Sequence, residues 1–150
     1  LLIAVLVLAL DQASKWVILT KVMRPPQVVE ITPFFNLVMG WNRGVSFGLF
    51  HSDSPVHVIV LSGIAMVIVI ALLVWLWRAV SRWTAVALGL IIGGALGNVI
   101  DRLRFGAVAD FLDVHAFGYH WPAFNVADSA IVVGAGMLIL ESLFSGREKA

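Results

Sequence analysis

Four long apolar segments alternate with shorter polar segments along the chain. They lie at about residues 1–20, 56–77, 84–103 and 125–144. Because a helix of about 20 apolar residues spans the hydrocarbon core of a bilayer, each segment predicts a transmembrane helix. The expected fold is mainly α-helical, a single integral membrane domain over residues 1–150.

The segment at about residues 24–54 differs from the apolar segments. It combines helix-breaking prolines with β-branched and aromatic residues that favour short strands. We expect a β-rich cradle outside the bilayer core. Between the third and fourth helices, residues 104–122 predict a loop with a short amphipathic surface helix around residues 108–117.

Composition supports a membrane protein and excludes several chemistries. Of the residues, 61% are hydrophobic and 13% are charged, and the mean hydropathy is +0.99. A formal net charge of +1 gives no indication of a nucleic-acid partner. The chain has no cysteine, which excludes disulfides, thiolate metal sites and a cysteine nucleophile.

Cationic residues predict the orientation of the helices. Arg78 and Arg82 lie in the short loop between the second and third segments, and Arg147 and Lys149 lie in the tail. Since cytoplasmic loops are enriched in Lys and Arg, we expect both termini in the cytoplasm. The end of the third helix and the start of the fourth would then meet at the extracytoplasmic face.

Two patterns within the apolar segments predict helix packing. Asp11 and Lys15 are four residues apart, so they lie on one helix face and can form an ion pair. Gly89, Gly93 and Gly97 also recur every four residues, a small-xxx-small pattern that allows close approach of helix backbones.

Polar residues are concentrated between Gly93 and Asp128, where four carboxylates occur in an otherwise apolar region. Asn98, Asp101 and Arg102 share one face of the third helix, and Asn125 and Asp128 suit the N-cap and first turn of the fourth. Ionisable residues near hydrocarbon are costly and indicate function. The set comprises Asn98, Asp101, Arg102, Asp110, Asp113, Asn125 and Asp128.

Two neighbouring carboxylates can activate water, because one retains a proton while the other stays ionised, as in aspartic proteases. Non-catalytic roles are open for individual residues. Asp128 alone would be a helix cap, Asp101 would pair with Arg102 or Arg104, and Asp113 would be a solvated loop charge.

Three other functions have weaker sequence support. Residues 44–48 fit the G-x-S-x-G pattern of a serine nucleophile, but that motif needs a strand–turn–helix context. A metallopeptidase would require metal-binding spacing such as H-E-x-x-H, which the four histidines lack. A small proton-coupled transporter could use Asp11, Asp101 and Asp128 as an ion path, but the polar residues gather at one membrane surface and no internal repeat is evident.

Five short blocks combine these polar residues with glycine, alanine and aromatic residues. They are DQASK at residues 11–15, FNL at 35–37 followed by NRGVSFG at 42–48, GGALGNVIDR at 93–102, VADF at 108–111, and FNVADSAI at 124–131. In this order they resemble the signature blocks of bacterial lipoprotein signal peptidase, the type II signal peptidase family of intramembrane aspartyl peptidases. The resemblance covers nearly the whole chain, although Val45 and Ser46 stand where the family often has alanine.

The resemblance implies a role for each polar residue. The catalytic pair would be Asp110 and Asp128. The substrate-binding residues would be Asn42, Asn98, Arg102 and Asn125. Supporting residues would be Asp11, Lys15, Asp101, Gly44 and Ala127.

The resemblance also implies a substrate and a location. The enzyme would remove signal peptides from diacylglyceryl-modified prolipoproteins by cutting before the lipidated Cys, without a metal or another cofactor. Its partners would be these substrates, membrane lipids and globomycin-type inhibitors. We expect a monomer in the bacterial inner membrane with its active site near the extracytoplasmic face.

Overall fold

The computed structural model describes residues 1–44 and 55–145. Within these ranges, four helices are long and apolar enough to cross a membrane, as predicted. Predictions on residues 45–54 and 146–150, including most of the G-x-S-x-G pattern and both tail cations, lie outside the described residues. The helices are α1 (Leu2–Val17, continued by a π-helical turn at Ile18–Val22), α2 (Pro55–Arg78), α3 (Arg82–Phe105) and α4 (Val126–Ser145).

Local caps define the ends of α3. The helix begins at Arg82, two residues before the predicted start, because the Ser81 hydroxyl accepts a hydrogen bond from the Thr84 backbone N–H at 3.3 Å. It ends at Phe105, and the following residue, Gly106, has a φ of 73° and donates its N–H to the Arg102 carbonyl oxygen. Glycine adopts this left-handed conformation without the steric cost of a side chain.

α3 is the central helix, and it packs against α1, α2 and α4. Gly89, Gly93 and Gly97 face α1, which confirms the close approach predicted from their spacing. A Cβ at Gly93 would lie 2.8 Å from Val7 Cβ, and one at Gly97 would overlap the Asp11 carboxylate. These contacts require glycine and bring the polar residues of α1 against α3.

Four antiparallel strands form a sheet in the order β1-β2-β3-β4, and their bounds are β1 (Val29–Thr32), β2 (Phe35–Asn42), β3 (Val108–Ala116) and β4 (Tyr119–His120). The hairpin of β1 and β2 confirms the β-rich character predicted for the segment after the first helix. Pairing of β2 with β3 places Gly40 opposite Asp110.

The prediction of a short surface helix around residues 108–117 is wrong, because this segment forms strand β3. Short apolar segments do not distinguish helix from strand by periodicity alone. Pairing with β2 satisfies the backbone of β3, and Phe111 packs with Ile18 and Met23 in a small core beneath the sheet. These contacts lie far apart in sequence and override the local pattern.

The outer surface of the helices is apolar. Ile59, Val67 and Val74 on α2 and Val132 on α4 are among many exposed aliphatic side chains. Large exposed apolar surfaces are rare in soluble monomers, and a bilayer provides the apolar environment that this surface requires.

Candidate active site

The first turn of α4 is held by side chains from two directions. Asn125 Oδ1 accepts a hydrogen bond from the Asp128 backbone N–H at 2.8 Å, which confirms the predicted N-cap. Asp11 Oδ1 on α1 accepts from the Ala127 N–H at 3.0 Å. The Asp128 carboxylate turns to α3, where its Oδ1 accepts from Asn98 Nδ2 at 2.8 Å. Two otherwise unpaired backbone donors of α4 are thereby satisfied, and the Asp128 backbone is fixed.

Asp110 lies on β3, and its Oδ1 accepts a hydrogen bond from Asn125 Nδ2 at 2.7 Å. Asn42, at the end of β2, also hydrogen-bonds the Asp110 carboxylate. The Asn42 amide is oriented by the Gly44 N–H, which donates to Asn42 Oδ1 at 3.0 Å. Opposite Asp110, a Cβ on Gly40 would lie 3.3 Å from the Asp110 carbonyl oxygen, so glycine permits the close strand pairing.

One asparagine therefore connects both carboxylate residues. Asn125 is fully buried; its amide oxygen caps Asp128 and its amide nitrogen donates to Asp110. The two carboxylates, 18 positions apart in sequence, are brought together by α4 and β3. Both the oxygen and the nitrogen of the Asn125 amide are therefore hydrogen-bonded within the protein.

Burial raises the pKa of Asp110 from 3.8 to about 7, and the nearby negative charge of Asp128 adds to this effect. Hydrogen bonds from Asn42 and Asn125 and the positive charge of Lys15 act in the opposite direction. Near neutral pH, a large fraction of Asp110 therefore carries a proton. This is the protonation required of one member of an aspartic pair.

A buried ion network lies beneath the carboxylate pair. Lys15 Nζ is 2.8 Å from Asp11 Oδ2, which confirms the predicted pair, and 2.8 Å from Asp101 Oδ2. The pairing of Asp101 with Arg102 or Arg104 expected from sequence is wrong. Asp101 instead accepts from Gln12 Nε2 at 3.0 Å and from the Ala109 N–H at 3.2 Å, and so connects α3 to α1 and β3.

Asp113 is not the solvated loop charge expected from sequence. It is only 6% exposed, and its carboxylate accepts from Asn36 Nδ2 at 3.1 Å and contacts His120 Nδ1 at 2.9 Å. These partners lie on β2 and β4, so Asp113 connects three strands of the sheet. It does not line the cavity beside Asp128.

A cavity of about 230 Å³ adjoins the carboxylate pair. Its polar residues lie near the ends of α3 and α4 and at the end of β2, and its apolar residues other than Val108 lie about one turn or more deeper along the helices. Such a cavity presents hydrogen-bonding groups at the membrane surface and aliphatic groups toward the hydrocarbon. The lining residues are Asn42, Ala65, Ala95, Asn98, Arg102, Val108, Asp128, Ile131 and Val132.

Arg102 connects α3 to the segment after β2. Its Nη2 donates to the Gly44 carbonyl oxygen at 3.0 Å, and its Nη1 lies 3.5 Å from the Asn98 carbonyl oxygen. Its Nε is buried and has no partner among the described residues. A buried donor without a partner is costly, so this N–H is available to a bound molecule.

Two of the described histidines, His115 and His120, belong to the sheet. The rings of His115 and His120 stack with centroids 4.7 Å apart beside Asp113. Residues 1–44 and 55–145 contain no group of three His, Asp or Glu side chains arranged to hold a metal ion.

Comparison with known proteins identifies the family. The family model for signal peptidase (SPase) II matches residues 3–144. The lipoprotein signal peptidase of Methylorubrum extorquens (strain PA1) is 51% identical over 91% of this chain and 80% of its own length. That of Rhodopseudomonas palustris (strain TIE-1) is 43% identical over 95% and 90%. These matches give no support to the transporter alternative.

Solved structures agree with this result. A bacterial membrane enzyme determined by the in meso method at 2.3 Å resolution is 35% identical, with a TM-score of 0.87 over 99% of this chain and 90% of the solved chain. A second, determined at 1.9 Å, is 36% identical, with a TM-score of 0.80 over 95% and 90%. The sequence match, the helical architecture and the clustered polar blocks together show that this chain belongs to the signal peptidase II family.

Proposed function

We propose that this chain is a membrane aspartic endopeptidase that removes signal peptides from diacylglyceryl-modified prolipoproteins by cutting before the lipidated Cys. Family membership supports peptidase activity on prolipoproteins. The observation that carries the aspartic mechanism is the placement of Asp110 and Asp128 on one buried asparagine, Asn125, next to a cavity at the end of the helices.

Asp110 serves as the acid and Asp128 as the base in this mechanism. Asp128 takes a proton from water while the water oxygen attacks the scissile carbonyl carbon, and the Asp110 proton is donated to the carbonyl oxygen. When the tetrahedral intermediate collapses, Asp128 gives its proton to the leaving nitrogen and Asp110 recovers its own. The C–N bond breaks without a covalent enzyme intermediate, and each carboxyl returns to its starting state.

The pKa of Asp110, about 7, supports this assignment of acid and base. A carboxyl that ionises near neutral pH can donate a proton in the reaction and recover it afterwards. Asp128 lines the cavity, and Asn98 Nδ2 holds its Oδ1, so the carboxylate that acts as the base is fixed at the cavity wall.

The cavity suits a substrate that is part peptide and part lipid. At its polar end, the unpaired Arg102 Nε can donate to a substrate carbonyl, and Asn42 lies beside it. At its apolar end, Ala65, Ile131 and Val132 suit the aliphatic part of the substrate. The acyl chains would remain in the lipid beside the helices, so membrane lipids contribute to binding.

The remaining roles follow from the contacts. Asn98 and Asn125 orient the carboxylates, whereas Asp11, Lys15, Asp101, Gly44 and Ala127 hold the surrounding backbone and side chains in place. Arg78 and Arg82, which flank the short connection between α2 and α3, support an inner-membrane orientation with both termini in the cytoplasm. The active site of a monomer would then lie near the extracytoplasmic face.

The test is cleavage of a synthetic prolipoprotein by purified protein in micelles, followed by gel shift and mass spectrometry. We expect cleavage immediately before the diacylglyceryl-Cys, little cleavage of the same peptide without its lipid, and inhibition by a globomycin-type peptide. Equal cleavage of both peptides would contradict the lipid requirement. Ion flux in proteoliposomes without peptidase activity would contradict the proposal as a whole.

A further inference from the structure

The Asn98 side chain joins the ion network to the carboxylate pair. Its Nδ2 donates to Asp128 Oδ1 at 2.8 Å. Its Oδ1 accepts from Lys15 Nζ and from Asn125 Nδ2, both at 3.3 Å. The Asn98 amide therefore has donors on one side and a carboxylate on the other.

These neighbours allow only one orientation of the Asn98 amide. In the flipped orientation, the Asn98 NH₂ would face the Lys15 ammonium and the Asn125 NH₂, which can only donate. The Asn98 oxygen would then face the Asp128 carboxylate, which can only accept when it is ionised. Because an unsatisfied buried polar group is costly, the Lys15 ammonium strongly disfavours the flipped orientation.

We propose that Lys15 is a positioning residue for peptide hydrolysis, because its ammonium orients the Asn98 amide so that Asn98 Nδ2 donates to the Asp128 carboxylate and holds it in place. This inference rests on the proposed aspartic mechanism. It assigns a role in the reaction to a side chain that is 2% exposed and does not line the cavity.

Lys15 also has a structural role, and a different contact of its ammonium serves each of the two roles. Its contact with Asp101 connects α1 to α3 and stabilises the fold. Its contact with Asn98 leads directly to Asp128. In the described part of the chain, Asp101 has no hydrogen bond to Asn98 or to either proposed catalytic carboxylate. Replacement of Asp101 by asparagine therefore removes the ion pair with Lys15 and leaves the hydrogen bond from Lys15 to Asn98.

This difference provides a matched comparison between Asp101→Asn and the double variant Lys15→Met/Asp101→Asn. The single variant keeps the ammonium at Asn98. The double variant removes the ammonium together with one of the two carboxylates that it neutralises, so only the Asp11 carboxylate is left unpaired, whereas Lys15→Met alone would leave both Asp11 and Asp101 unpaired. Both proteins are assayed on a diacylglyceryl-modified prolipoprotein peptide, and folding is followed by tryptophan fluorescence.

We expect kcat of the double variant to be about 10- to 100-fold below that of Asp101→Asn, with KM within about twofold, because Asn98 and Asp128 are misoriented while the other residues that line the cavity are unchanged. Equal kcat in the two folded variants would overturn the proposal. So would failure of both the double variant and Lys15→Met to fold, since Lys15 would then act through stability alone. Absence of cleavage by the unmodified protein would contradict the proposed function instead.

Discussion

Replacement of Asp110 by asparagine should stabilise the protein at alkaline pH while removing its activity. Asparagine has nearly the same shape and retains an Oδ1 acceptor for Asn125 Nδ2, which lies 2.7 Å from Asp110 Oδ1. It cannot ionise. The substitution therefore removes the cost of a buried negative charge that lies near Asp128.

The size of the effect follows from the pKa of Asp110, which rises from 3.8 to about 7 on folding. The folded state holds the proton more tightly than the unfolded state, so stability falls as the pH rises from about 4 to about 7. Above pH 7 the full cost of about 4 kcal/mol applies, whereas at pH 5 less than half of this cost applies. Any change in packing caused by the introduced amide is independent of pH, so the pH dependence isolates the electrostatic part.

Thermal unfolding in detergent micelles, followed by the fluorescence of the six tryptophans, measures this difference. For a chain of this size, about 3 kcal/mol between pH 5 and pH 8 corresponds to about 10 °C in Tm. We therefore expect Asp110→Asn to gain stability relative to the unmodified protein as the pH rises. The difference between their Tm values should shift by up to about 10 °C in favour of the variant between pH 5 and pH 8.

Asp113→Asn is the matched control, because Asp113 lies on the same strand and is also buried. Its carboxylate contacts the His120 ring and not a second carboxylate, so Asp113→Asn should show no alkaline gain in stability. A difference in Tm between Asp110→Asn and the unmodified protein that does not change between pH 5 and pH 8 would refute the electrostatic reasoning.

Three further predictions test the mechanism and the packing. If Asp110 is the acid, kcat/KM falls as the pH rises through about 7; a rate that rises through the same range would make Asp110 the base. Gly97→Ala should lower the free energy of unfolding by about 1–3 kcal/mol, because the added Cβ would overlap the Asp11 carboxylate. Gly136→Ala should be tolerated, because a Cβ at Gly136 would lie in open space. Equal Tm values for the two variants would contradict the close packing of α1 on α3. Asp101→Asn should lower Tm by several degrees, whereas kcat of the folded variant should stay within a few fold of that of the unmodified protein. An Asp101→Asn protein that is stable but inactive would move the catalytic role to Asp101.

The helices and several contacts of the site could be predicted because their signals are local, whereas Asp110 and Asp128 are assigned as the catalytic pair only through the family resemblance. Apolar length predicts the four spans, and the four-residue spacing of Asp11 and Lys15 predicts their ion pair. The spacing of Gly93 and Gly97 predicts a close helix contact, but not that α1 would be the partner.

The errors concern contacts between residues that are distant in sequence. The local pattern predicts a helix in the segment that forms β3, because the pairing of β3 depends on β2, a strand about 70 residues earlier. Proximity in sequence favours a neighbouring arginine as the partner of Asp101, whereas its partner is Lys15, 86 positions earlier in the chain. Gln12 is absent from the predicted site as well, although a polar residue beside Asp11 in an apolar helix is a signal that could have identified it.

The most direct test of the central claim is the rate at which Asp110→Asn, Asp128→Asn and Asp113→Asn cleave a diacylglyceryl-modified prolipoprotein under single-turnover conditions. The introduced amide keeps an oxygen for Asn125, one of the two asparagines that bond to Asp110, in Asp110→Asn, and for Asn98 in Asp128→Asn. We expect all three variants to fold and to bind the same globomycin-type inhibitor. We predict that cleavage falls at least about 1,000-fold in the first two variants and changes by less than about fivefold in the third. Near-normal cleavage by folded Asp110→Asn or Asp128→Asn would contradict the assignment of these two residues as the catalytic pair.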